Sequence, residues 1–114
     1  NVMEVMNVIG DIEGKICLML DDMIDTAGTI VQGAEALKNN GAKAVYACCS
    51  HGVLSGPAID RLTNSCISEI VVLDTIHLPE HVKQCPKIKE LSVAPYFAKA
   101  INQLFKDKSL SEIY

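Results

Sequence analysis

The stretch ICLMLDDMIDTAGTIVQGAEALKNNG, residues 16–41, carries two different periodicities with a polar turn between them. Ile16 to Leu20 is a nearly continuous apolar run bounded by Lys15 and Asp21, the pattern of a central strand in a parallel sheet. From Thr29 the spacing lengthens: Ile30, Ala34 and Leu37 share one helical face, Lys38 ends the run, and Gly41 stands where a C-terminal cap belongs. Three aspartates, Asp21, Asp22 and Asp25, crowd the junction, followed by Thr26-Ala27-Gly28-Thr29. A strand that turns straight into a helix is the opening of an α/β unit.

The alternation continues outward. AVYACCS at 44–50 is a second strand-like run, and after the HGVLSGP loop AIDRLTN at 58–64 predicts a short helix with Ser55 or Gly56 before it and Pro57 in its first turn. EIVVLDT at 69–75 reads as a third strand, a loop with His and Pro follows, and KIKELSV at 87–93 reads as a fourth. In the last helix Phe97, Ile101, Leu104 and Phe105 form one stripe, widened by Ala100. Upstream, MEVMNVIG at 3–10 predicts a short strand, and DIEGK at 11–15 a turn with Gly14 at its tight position. The expected fold is α/β, a mainly parallel sheet flanked by helices, in one domain over residues 1–114. Sheets of this kind commonly have five or six strands, so the reading expects the domain to be incomplete at its N-terminal side.

Composition narrows the partners. The chain of 114 residues is 49% hydrophobic with two Phe, three Tyr and no Trp, so its core must be aliphatic. The net charge is −4 and no basic block appears, which favours no nucleic acid. No apolar stretch reaches the length of a membrane span, and the start has no signal-peptide pattern. Five cysteines at 17, 48, 49, 66 and 85 make no ligand spacing; they suit reduced, buried thiols of a cytoplasmic protein. His77 and His81 are four apart, but Pro79 between them argues against one helical face, and loop histidines are the favoured reading.

The acidic junction has two readings. Asp, Gly and Thr are ordinary loop and cap residues, and a solvated loop needs nothing more. The alternative is a sugar-phosphate site. Asp21 and Asp22 would end a parallel strand, where open α/β sheets bind ligands. Free N–H groups of the Asp25–Thr29 turn and the first helical turn would cradle a phosphate, with hydroxyls from Thr26 and Thr29 and close backbone approach at Gly28. Carboxylates accept from the vicinal hydroxyls of a sugar, or hold a divalent ion directly or through water. Asp25 would cap the turn or accept from a nearby hydroxyl. The stretch is neither a Walker A loop nor a dinucleotide fingerprint.

CLMLDDMIDTAGTI, residues 17–30, closely resembles the ribose-phosphate-binding signature shared by type I phosphoribosyltransferases and ribose-phosphate pyrophosphokinases. NVIGDIEGK, SHGVLSGPAIDRL, VVLDTI, CPKIKELSV and SLSEIY resemble, in order, segments of the second family, so the resemblance covers essentially the whole chain. It implies a phosphoribosyltransferase-like fold and a Mg²⁺-dependent transfer of the diphosphoryl group of ATP to the C1 hydroxyl of ribose 5-phosphate. It assigns the 5-phosphate to the loop of Asp25, Thr26, Ala27, Gly28 and Thr29, and the ribose hydroxyls to Asp21 and Asp22, which are also the candidate metal ligands. Ala27 replaces a glycine frequent in the signature, a mild change if position 27 needs no positive φ. The family's ATP-binding segments, catalytic histidine and mobile Lys/Arg loop have no counterpart here. The chain thus resembles the C-terminal, ribose 5-phosphate-binding half of a longer enzyme, inactive by itself and oligomeric (a dimer or hexamer) when complete. Ser50 and His51 match a segment near an effector site, and Ser109, Ser111 and Tyr114 match positions that meet a regulatory nucleotide. A phosphoribosyltransferase of nucleotide synthesis and a noncatalytic synthetase-associated subunit remain the alternatives.

Overall fold

The computed structural model of the protein describes residues 8–113. Four strands, β1 (Ile16–Ile24), β2 (Ala44–Gly52), β3 (Ile67–Leu73) and β4 (Ile88–Leu91), form one sheet in the order β1-β2-β3-β4. All three pairings are parallel, with Ile16 opposite Ala44, Cys49 opposite Val72 and Leu73 opposite Leu91 in register. Between them run α1 (Gly28–Asn39), α2 (Ala58–Thr63) and α3 (Glu80–Lys83), and α4 (Ala94–Phe105) follows β4. A 3₁₀ turn, Leu110–Ile113, closes the described chain. The parallel sheet flanked by helices is the phosphoribosyltransferase-like arrangement expected from the sequence.

Strand alternation explains the core. In β2, Val45, Ala47 and Cys49 are buried while Tyr46 between them is exposed. On β3, Ile70 and Val72 join the buried face, and α1 and α2 cover it with Ile30, Ala34, Ala58 and Leu62. Leu78, Val82 and Cys85 extend the same cluster around the short α3. The apolar α1 face read from the sequence is the packed one, with Leu37 at its margin. Helix α1 ends at Asn39, Asn40 is the C-cap and Gly41 follows at φ 97°, the left-handed exit that glycine permits.

Several boundaries differ from expectation. β1 continues through Asp21 and Asp22 to Ile24, so the two aspartates lie within the strand rather than at its end; pairing of Asp21 with Cys49 and of Met23 with His51 sustains the ladder past the charge. The 3–10 strand falls largely on residues outside those described, and 8–10 carry no strand. β4 is shorter than 87–93, because Ser92 and Val93 leave the ladder to start α4. The loop after β3 contains α3, one turn long and therefore without a readable period.

Among the described residues nothing covers the second face of the sheet along β1. Ile16, Leu18 and Leu20 of β1 are 65%, 63% and 75% exposed. Helix α4 has no buried residue, and its stripe of Phe97, Ile101, Leu104 and Phe105 faces outward. The amphipathic pattern read from the sequence is real, but among the described residues α4 packs chiefly against the 3₁₀ turn.

Candidate functional site

The turn between β1 and α1 is where strand geometry delivers the polar residues. Ile24 and Ala27 are buried and pin the turn at both ends, leaving Asp25, Thr26 and Thr29 exposed. Ala27, the N-cap residue of α1, has φ 69° and ψ 7°. The condition set for a mild exchange of glycine for alanine is not met: position 27 has a positive φ, and an L-residue there carries backbone strain. No side chain caps the helix. The first N–H to bond back is that of Val31, to the Ala27 carbonyl at 3.1 Å. The N–H groups of Ala27, Gly28, Thr29 and Ile30 have no acceptor among the described residues. They border a cavity of about 250 Å³ lined by Asp21, Met23, Ile24 and residues 25–30.

Alternation along β1 separates the two adjacent aspartates. Asp21 lines the cavity, as Met23 and Asp25 do, and Asp22 is absent from its wall. The Asp22 N–H donates to Oδ1 of Asp21 at 2.8 Å. Asp25 accepts from the hydroxyl of Ser55, one of the two roles foreseen for it. No group of three or more His, Cys, Asp or Glu side chains is gathered for a metal among the described residues.

The second wall of the turn escaped the sequence reading. The N–H groups of Val53 and Leu54 donate to the Ile24 carbonyl at 3.0 and 3.1 Å, and that of Ser55 to the Asp25 carbonyl at 3.0 Å. From α2, Nη1 of Arg61 donates to the Thr26 carbonyl at 3.2 Å. These contacts span about 30 residues of chain, so no local spacing announces them.

Ser50 and His51 lie at the far end of β2. The Thr75 hydroxyl donates to the Ser50 carbonyl at 3.1 Å, and its oxygen is 2.7 Å from Nδ1 of His51. One hydroxyl carries one proton, so His51 donates and its Nδ1 is protonated. Ser109 and Ser111 bond to each other at 2.8 Å, and Gln103 of α4 donates to the Ser109 carbonyl. Their hydrogen bonds stay within α4 and the tail, while those of Ser50 and His51 run to Thr75; Tyr114 lies outside the described residues. All five cysteines are free, and burial pushes the Cys49 thiol up to about 11, which keeps it protonated and unreactive.

Compared with known proteins, residues 2–114 match the phosphoribosyl synthetase-associated domain. The chain belongs to that family. Among curated relatives, it is 58% identical over 114 residues to the ribose-phosphate pyrophosphokinase of Clostridium perfringens, covering all of this chain and 35% of that protein. The ribose-phosphate pyrophosphokinase of Corynebacterium ammoniagenes is 56% identical, again over all of this chain and 36% of the relative. Among solved structures, phosphoribosylpyrophosphate synthetase from Mycobacterium smegmatis superposes with a TM-score of 0.82 at 41% identity, over 87% of this chain and 33% of that one. The chain spans about a third of the length of the synthetases it matches. No helix of the described residues is long and apolar enough to cross a membrane.

Proposed function

We propose that this chain is the ribose 5-phosphate-binding part of a ribose-phosphate diphosphokinase, in which ATP gives its diphosphoryl group to the C1 hydroxyl of the sugar. The observation that carries the reading is the uncapped start of α1, whose four free N–H groups border a cavity with Asp21 on its wall. An unsatisfied helix start of this kind favours an anion, and the helix dipole adds to it. The 5-phosphate accepts from the N–H groups of residues 27–29 and the hydroxyls of Thr26 and Thr29. Asp21 accepts from ribose hydroxyls and orients the ring. No Lys or Arg lines this cavity, so the residues here bind and orient the sugar and leave ATP to other parts of a complete enzyme that works as an oligomer. Mg²⁺ would be held by Asp21, water and substrate oxygens, and when bound it neutralises charge on the transferred phosphates. Positioning is the contribution of this half of the site.

Titration of the protein with ribose 5-phosphate, followed by amide chemical shifts, tests the assignment. The N–H signals of residues 27–30 should move first and saturate together. Shifts confined to other elements, or none, would remove the site from this turn.

A further inference from the structure

We propose that Arg61 of α2 is a positioning residue for the phosphate turn, an inference that rests on the ribose 5-phosphate reading of that turn. A trans peptide holds its carbonyl and the following N–H on opposite sides of one plane. Arg61 holds the Thr26 carbonyl from the α2 side at 3.2 Å, which turns the Ala27 N–H away from α2. That N–H has no protein acceptor among the described residues, and Ala27 borders the cavity. The conformation needs an anchor: alanine at φ 69° persists only where its surroundings over-determine it. The buried Ala27 methyl supplies one constraint and the Thr26–Arg61 bond a second, independent one.

Space and charge agree with this role. A Cβ on Gly28 would meet Nη1 of Arg61 at 3.2 Å, so the guanidinium fills the volume over the first helical residue and leaves little room for the turn to shift. The cavity wall carries Asp21 and Asp25 and no cation, and Arg61 is the positive group hydrogen-bonded to the turn itself. Its charge therefore reaches a bound dianion through the Thr26–Ala27 peptide, at a distance that does not require Arg61 to touch the ligand. Ser55 secures the neighbouring residue through its N–H and hydroxyl on Asp25. The segment from Val53 to Arg61 thus acts as a splint in which Arg61 is the charged donor.

The test uses the full-length protein with Arg61→Ala, Arg61→Lys and Arg61→Gln, reading ribose 5-phosphate binding by calorimetry, KM for each substrate, and thermal unfolding. Loss of a charged donor should weaken ribose 5-phosphate about tenfold in Arg61→Ala while KM for ATP holds. Lys and Gln, which can still donate to a carbonyl, should recover part of that loss. Unchanged sugar affinity in folded Arg61→Ala, or equal loss toward both substrates in all three variants, overturns the proposal. If Arg61→Ala does not fold, the same comparison is made between Lys and Gln, and wild-type sugar affinity in folded Arg61→Gln together with a tenfold loss in Lys would also overturn it. Amide shifts of the unsubstituted protein and of a folded Arg61 variant separate the two levels. Residues 27–30 that ignore ribose 5-phosphate sink the site reading, whereas residues that respond equally with and without Arg61 sink only this one.

Discussion

At the residue scale Ala27 is the point where opposing effects can be weighed. Left-handed backbone costs an alanine roughly 1–2 kcal/mol, which glycine would not incur. Glycine, however, adds about 0.4–1 kcal/mol of unfolded-chain entropy and loses a buried methyl worth about 0.8 kcal/mol. The terms nearly cancel, so Ala27→Gly should leave the unfolding free energy almost unchanged, whereas Ala27→Val, β-branched at positive φ, should destabilise by about 2 kcal/mol or more. Denaturant midpoints of the two variants decide it, and a large gain from glycine would mean that strain outweighs burial. The adjacent aspartates allow a sharper comparison. Since Asp21 lines the cavity and Asp22 does not, Asp21→Asn in the complete enzyme should weaken ribose 5-phosphate about tenfold more than Asp22→Asn, by titration of each variant with the sugar. Equal losses would show that both carboxylates reach the ligand. The sequence made the loop's chemistry legible, because Asp, Thr and Gly have few other reasons to gather there. It left two things hidden: the sign of φ at 27, and Arg61 and Ser55, which arrive from the next α/β unit.

At the element scale, the four strands were readable because continuous apolar runs bounded by charge have few other interpretations. The overextension of β1 was not, since aspartate is a poor strand former and its place in the ladder is held by pairing with β2. The link from β3 to α4 was equally invisible. Asp74 follows β3, and its carboxylate accepts the Val93 N–H at 2.9 Å, at the N-cap position of α4. The Ser92 hydroxyl, then that N–H, hold the Asp74 carboxyl below its ordinary value. The folded pKa is depressed, so the contribution to stability is present above the unfolded value near 3.9 and lost as pH falls through the folded one. Proton titration of Asp74 with the Val93 amide as reporter should give a midpoint below that of an unperturbed aspartate. At neutral pH, Asp74→Asn should speed amide exchange at Val93 and Ala94 relative to the rest of α4. A normal midpoint, or exchange indifferent to the substitution, would mean that α4 begins without this anchor.

At the scale of the whole molecule the exposed surface is the open question. Soluble monomers rarely present large contiguous apolar patches. Here Ile16, Leu18 and Leu20 line one face of β1, and among the described residues β1, nine residues long, is itself an edge of the sheet. Long apolar edges are templates for pairing with another chain. The opposite edge, β4, has four residues and carries Lys89 and Glu90, which protect it. Helix α4 adds a second outward stripe, from Phe97 to Phe105, whose two end residues are 62% and 86% exposed. The α4 stripe was written in the sequence as apolar periodicity. Strand β1 read there as a continuous run, the mark of a central strand, whereas among the described residues it stands at the end of the strand order with one face exposed. Period alone says that a face wants cover and not what covers it. We therefore expect the 114-residue chain on its own to associate reversibly, with β1 contributing more than α4 because backbone donors and apolar side chains coincide there. Sedimentation velocity over a concentration series gives the reading. Leu18→Lys should shift the distribution toward monomer, since it puts a charge in the middle of the β1 face, while Leu104→Lys should shift it less. The two substitutions are exposed, so neither should disturb the buried cluster of Val45, Ile70 and Leu62, and unchanged thermal unfolding would confirm that. A chain that stays monomeric throughout, or one in which only Leu104→Lys disperses the assembly, would show that the β1 edge is not the adhesive surface.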